Sequence, residues 1–145
     1  MTAVFSDNYL TTVVTVADWE IRTGVSEGNA GTLVASGTTS SPVVTLIEGC
    51  FQFCVYRVKV TGLNIFLLML PSGRHYWLNV TPVGDGTGRS FNATTSGLHA
   101  VGSPLGNNQN AFFNSAYFGA YFTSTANVQG PYDYSMGVIA LSSSP

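Results

Sequence analysis

Hydrophobic and polar residues alternate along most of this chain with a period of two, the signature of half-buried β-strands. In Ala17-Asp18-Trp19-Glu20-Ile21-Arg22, Trp19 and Ile21 fall on one face and the charges on the other. Val55-Tyr56-Arg57-Val58-Lys59-Val60 sets Tyr56, Val58 and Val60 opposite Arg57 and Lys59. Tyr9–Val16 is rich in β-branched residues and holds no breaker. Shorter strands are expected at Thr32–Ala35, Val43–Ile47 and Tyr76–Thr81, with two late ones near Ala116–Thr123 and Tyr134–Leu141. Turn signals separate them: Gly28-Asn29, Gly62, Pro71-Ser72-Gly73, Gly84-Asp85-Gly86 and Gly130-Pro131. No segment carries a helical period. Short strands between Gly/Pro turns predict an all-β fold, an antiparallel sandwich or jelly roll. The expected core is Trp19, Ile21, Tyr56, Val58, Trp77, Phe113, Phe118, Tyr134 and Val138. Residues 84–109 read as an extended surface loop.

Composition narrows the class. The 145 residues are 45% hydrophobic but only 8% charged, with a net charge of −2. Soluble domains usually carry about a quarter charged residues. Here Ser, Thr, Asn and Gly supply the polarity, which suits a surface that packs against copies of itself or carries sugars. Lys59 is the single lysine. A nucleic-acid binder needs a basic stripe to displace counterions, so that class is excluded as an expectation. The longest apolar run, Ile65–Leu70, is far short of the ~20 residues of a membrane helix, so no membrane span is expected. Met1–Asp7 is too polar for a secretory leader, which implies a mature form or export without a cleaved signal.

The two cysteines, Cys50 and Cys54, lie about 13 Å apart in a straight strand at about 3.3 Å per residue. A disulfide therefore needs Phe51-Gln52-Phe53 to form a tight loop; the alternative is two small buried hydrophobes. No second Cys/His pair completes a metal site, and no cofactor is expected. Asn79-Val80-Thr81 and Asn92-Ala93-Thr94 fit the glycosylation acceptor pattern. Asn92 is the better candidate, because Asn79 sits in a strand and Pro82 follows its Thr81. Gly84-Asp85-Gly86-Thr87-Gly88 has too few carboxylates for calcium and no phosphate-loop lysine, and reads as a tight turn. Neither His75 nor His99 has the setting of a triad, and no acidic pair has that of a glycosidase, so no enzyme is expected. Gly106–Asn110 beside Phe112, Phe113, Tyr117 and Tyr121 offers amides and rings to a carbohydrate.

Several blocks together resemble a secreted bacterial β-sandwich module found in surface proteins of the PEP-CTERM type. They include Asp18–Arg22, Gly31–Ala35, Tyr76–Pro82, Gly86–Phe91, Asn110–Asn114 and Asp133–Val138. The resemblance implies an exported, non-catalytic all-β module at the cell surface. The final Leu141-Ser142-Ser143-Ser144-Pro145 carries no sorting motif, and the start is a strand or two short of such modules.

A sandwich short of a strand exposes backbone groups that recruit one from elsewhere. The organisation expected is thus an N-terminal donor segment at 1–16, a sandwich at 17–141 and a tail at 142–145. The expected function is a structural subunit of an extracellular filament, a homopolymer held by β-strand exchange. Its interface would use Val4, Phe5, Tyr9, Leu10, Val13 and Val14, with Phe66 and Leu68 from the apolar run. The alternative is a monomeric secreted carbohydrate-binding sandwich.

Overall fold

The computed structural model describes residues 2–49, 54–63, 65, 75–95, 110–128, 130 and 132–140. Phe66, Leu68, Cys50 and His99 therefore lie outside the described residues, as do 96–109 of the expected loop. The chain forms β1 (Thr2–Leu10), β2 (Val14–Thr23), β3 (Thr32–Thr39), β4 (Val43–Glu48), β5 (Cys54–Leu63) and β6 (Tyr76–Gly84). There follow β7 (Ser90–Asn92), β8 (Thr94–Thr95), β9 (Phe112–Ser115), β10 (Ala120–Ser124), a single helical turn α1 (Thr125–Val128), β11 (Asp133–Tyr134) and β12 (Met136–Ala140). All pairings are antiparallel. The two main sheets run β12-β1-β5-β4, with β7 beside β12 on the same flank of β1, and β3-β2-β6; β10-β9 and β11-β8 form two further two-stranded sheets. The fold is thus the expected all-β, sandwich-like class.

The two sheets meet through their inward residues. Ala17, Trp19 and Ile21 of β2 alternate with half-buried polar neighbours, as the period of two requires. They pack with Val80 of β6 against Val4, Leu10, Val58 and Val60 of the larger sheet. Gly37 lies opposite Trp19, and a Cβ there would come within 2.7 Å of the indole, so the ring occupies the space a side chain would take. Two expected core residues are corrected: Phe118 is 70% exposed and Val138 40% exposed. Phe118 sits at a hairpin tip and Val138 on an edge strand, so neither has a second layer above it. Trp77, Phe113 and Tyr134 are only partly buried. Trp77 pairs with Arg22, in the row adjoining the inward Ile21–Leu78 pair, and so belongs to the outward face.

The N-terminal segment is the principal correction. Residues 2–10 are not a free arm in this chain: they form β1, the interior strand of its own sheet, paired along one side with β5 and along the other with β12 and then β7. Val4 is fully buried and Leu10 is 6% exposed. Nor does a boundary fall after residue 16, since β2 runs unbroken from Val14 to Thr23. The expected strand Tyr9–Val16 is broken at Thr11-Thr12-Val13, where the chain crosses between sheets. Two threonines make that corner. Thr11 Oγ1 accepts the Arg89 N–H at 2.8 Å, and Thr12 Oγ1 donates to Asp85 at 2.7 Å. Hydroxyls that bond locally in this way compete with a continuing ladder.

Polar residues on β1 are buried with partners, except that Asn8 Oδ1 has none among the described residues. Asn8 Nδ2 donates to Ser6 Oγ at 2.7 Å, and Ser6 Oγ to the Val80 carbonyl at 3.4 Å. Asp7, 7% exposed, accepts from Arg57 Nε at 2.9 Å, from Arg57 Nη2 at 3.3 Å and from Ser135 Oγ at 2.8 Å. The carboxylate raises the Arg57 pKa through that hydrogen bond. Arg57 also lies 4.8 Å from the centre of the Phe5 ring. Replacing Asp7 by Ala is expected to cost about 1.5 kcal/mol, the low end of the ~1.5–3 kcal/mol of a charged hydrogen bond, because water can reach the half-exposed guanidinium. Urea titration of Asp7→Ala against wild type measures it, with a lowered midpoint and an unchanged slope expected.

Candidate functional site

The larger sheet ends at β4, and all six of its residues are exposed. Val43, Val44, Leu46 and Ile47 are 52, 39, 52 and 43% exposed. Their exposure follows from the register. Val44 pairs with Val58 and Leu46 with Tyr56, which places both on the inward face, while the three-stranded sheet stops short of covering them. A shallow groove of about 450 Å³ runs beside them, lined by Leu10, Val13, Val14, Val44 and Tyr56 among others. Among the described residues the outer backbone edge of β4 pairs with no strand. Natural edge strands usually carry lysine, proline or a twist-inducing bulge that discourages pairing. β4 carries only Glu48, at its end, and a register shift between Leu46 and Glu48.

A second exposed surface is the β9–β10 hairpin. Tyr117 is 88% exposed and Tyr121 58%, beside the outward Phe118. The Tyr117 and Phe118 rings meet edge to face, 4.8 Å apart at 86°. Below them Phe122 has a φ of 46°, left-handed and costly for a bulky residue. Its neighbours hold it there: Gly28 N–H donates to the Phe122 carbonyl at 3.1 Å, and Ser124 N–H to Glu27 Oε2 at 2.6 Å. Arg22 lies 5.6 Å from the centre of the Phe122 ring. Thr125, 1% exposed, donates from Oγ1 to the Tyr132 carbonyl at 2.7 Å, tying the hairpin to the body.

The residues singled out from the sequence do not converge on one site. Val4 and Leu10 are core, Phe5 lies beneath Arg57, Tyr9 and Val13 are exposed, and Val14 packs against the core edge. Asn92 ends strand β7 instead of lying in a loop, with its side chain exposed; Asn79 is exposed on β6 and accepts from Thr81 Oγ1 at 3.3 Å. Cys54 is disulfide-bonded, and the only other cysteine in the sequence is Cys50. His75 is exposed. Among the described residues no three His, Cys, Asp or Glu side chains form a cluster able to hold a metal, and no helix is long and apolar enough to cross a membrane. The sequence pattern does not mark the β4 edge as a site. Its sole sequence signal is an apolar run with almost no charge, which a buried strand shares.

Asp85 makes the expected tight turn. It accepts from the Thr87 N–H at 3.0 Å, from the Thr87 hydroxyl and from Thr12, and these bonds lower its pKa from 3.8 to about 2. A depressed carboxylate stabilises the fold above its unfolded pKa and loses that contribution as pH falls through the folded one. Stability is therefore expected to decline between about pH 4 and pH 2 in part through Asp85. Thermal melts of Asp85→Asn across that window should show a shallower decline than wild type.

No family model, curated protein or solved structure matches this chain.

Proposed function

We propose that this protein is a non-catalytic structural subunit that assembles with copies of itself outside the cell by extending its larger sheet. The observation that carries the reading is β4, an exposed, apolar and nearly uncharged strand at a sheet edge. Such an edge is a template for another strand. The low charge of the chain favours the same reading, since little repulsion opposes close packing of copies. Assembly proceeds by edge addition instead of donation of the N-terminal segment, whose residues 2–10 pair within their own sheet. The disulfide at Cys54 fits an oxidising, extracellular setting, as does the resemblance to exported surface modules. Sedimentation velocity and negative-stain microscopy over a wide concentration range test the reading. Growth into fibres with rising concentration is expected; a single monomeric species throughout would reject it.

The exposed rings of Tyr117 and Tyr121 favour one further reading, carbohydrate binding at the hairpin tip. Their edge-to-face neighbours preclude a broad flat platform, so each ring would stack on a single sugar face. Glycan-array binding lost in Tyr117→Ala would support it.

A further inference from the structure

We infer that the two opposite edges of the larger sheet are the two halves of one head-to-tail interface, with Glu48 of one copy set against Arg89 of the next. This rests on the self-assembly reading and names its geometry. Directions alternate across the sheet: β12 is antiparallel to β1, β1 to β5 and β5 to β4. The count along this path is even, so a copy added in the same orientation brings its β12 antiparallel to β4. The antiparallel order then continues from copy to copy, in two stretches separated at the Asp7 row, where β7 and β12 diverge into the β8–β11 pair, and the same contact repeats at every step. A contact between different patches that does not close on itself generates a filament.

The rows across the sheet specify the contact. One row is Val43, Lys59, Phe5, Gly137; the next is Val44, Val58, Ser6, Met136. Further along, Leu46, Tyr56, Asn8 and Asn92 form a row, then Glu48, Val55, Tyr9 and Phe91. With rows in line, β4 meets the next copy's β12 with its first half and the next copy's β7 with its second. Glu48 then falls opposite the next copy's Phe91. Arg89 lies two residues before Phe91, on the same face by strand alternation, and its backbone is held to Thr11 at 2.9 Å and 2.8 Å. Diagonal neighbours at this spacing, about 7–8 Å, are within reach of long side chains. Both Glu48 and Arg89 are exposed, and neither side chain has an ion pair among the described residues. Opposite charges thus stand two rows apart on opposite edges of one sheet, as diagonal neighbours across the contact. In this register Val43 and Val44 fall opposite Gly137 and Met136, with the exposed Ile139 and Val138 as their diagonal apolar neighbours. The next copy's β6, which lies against its β12, comes toward the uncovered inward face of β4.

Charge reversal in mixtures tests the arrangement. The critical concentration for assembly is measured by sedimentation for wild type, E48R, R89E and an equimolar mixture of the two variants, with circular dichroism and thermal melts confirming that each is folded. In each single variant every interface brings like charges together, and the critical concentration should rise about tenfold, the sum of a lost surface ion pair and a new repulsion. In the mixture each reversed edge finds its complement on the other variant, and assembly should return to within about twofold of wild type, as strictly alternating copolymers. Wild type that never assembles would reject the self-assembly reading itself. Wild type that assembles while both variants match it would reject this interface alone. Loss in E48R with none in R89E would replace it by a two-fold contact of β4 with β4.

Discussion

Deleting residues 1–10 is expected to unfold the protein. The segment is the strand on which the larger sheet is organised: β5 pairs with it from Thr2 to Leu10, and β12 and β7 occupy its other side. Burial of Val4 and Leu10 alone is worth about 3–6 kcal/mol, at about 1.5–3 kcal/mol for each side chain. Removing the strand also opens the backbone groups of β5 and leaves Arg57 without Asp7. Together these losses match the ~5–15 kcal/mol by which a domain of this kind is stable. The deletion variant should lack a cooperative melt and show collapsed near-ultraviolet dichroism. A donor arm would behave differently, leaving a folded monomer that fails only to polymerise. Within intact chain, Val4→Asp should reproduce the unfolding, because it places an unpaired carboxylate against Val58 and Val60.

Placing lysine on the β4 edge, as Val44→Lys with Leu46→Lys, is expected to abolish assembly while leaving the fold intact. Both side chains are already 39% and 52% exposed, so each substitution should shift stability by about 0.5 kcal/mol or less. At the interface the effect is much larger. Two ammonium groups would have to be desolvated against the apolar inward face at every contact, with no carboxylate on the strand beyond Glu48 to receive them. Monomers with a wild-type melting temperature, at concentrations where wild type forms fibres, are the expected result. Fibres of normal yield from the double variant would remove β4 from the interface.

How far the sequence carried this structure depended on whether a strand's partners lie in its own pattern. β2 and β5 were legible because Ala17, Trp19 and Ile21, and likewise Val58 and Val60, alternate with polar residues and are the buried positions. β1 was not, because its inward face holds Ser6 and Asn8 between Val4 and Leu10. Those polar groups are tolerated only through bonds to one another and to the Val80 carbonyl, and Asp7 through Arg57, fifty residues away. Read locally, the segment looked like a polar start followed by a detachable strand. Phe118 and Val138 failed for a related reason: a large apolar residue is core only if another layer covers it, and the topology leaves these two at a hairpin tip and an edge. The candidate assembly surface was hidden in the same way. Val43–Ile47 reads as an ordinary buried strand, and only the sheet order makes it an edge.

Amide hydrogen exchange read by mass spectrometry over residues 43–48, in dilute and in concentrated protein, tests the central claim most directly. Dilute protein should rapidly exchange the outward-pointing amides of this strand, those not donated to β5, while β1 remains protected in both states. On concentration, protection should appear across 43–48 together with fibres. Rapid exchange there at every concentration, in a protein that stays monomeric, would contradict the account.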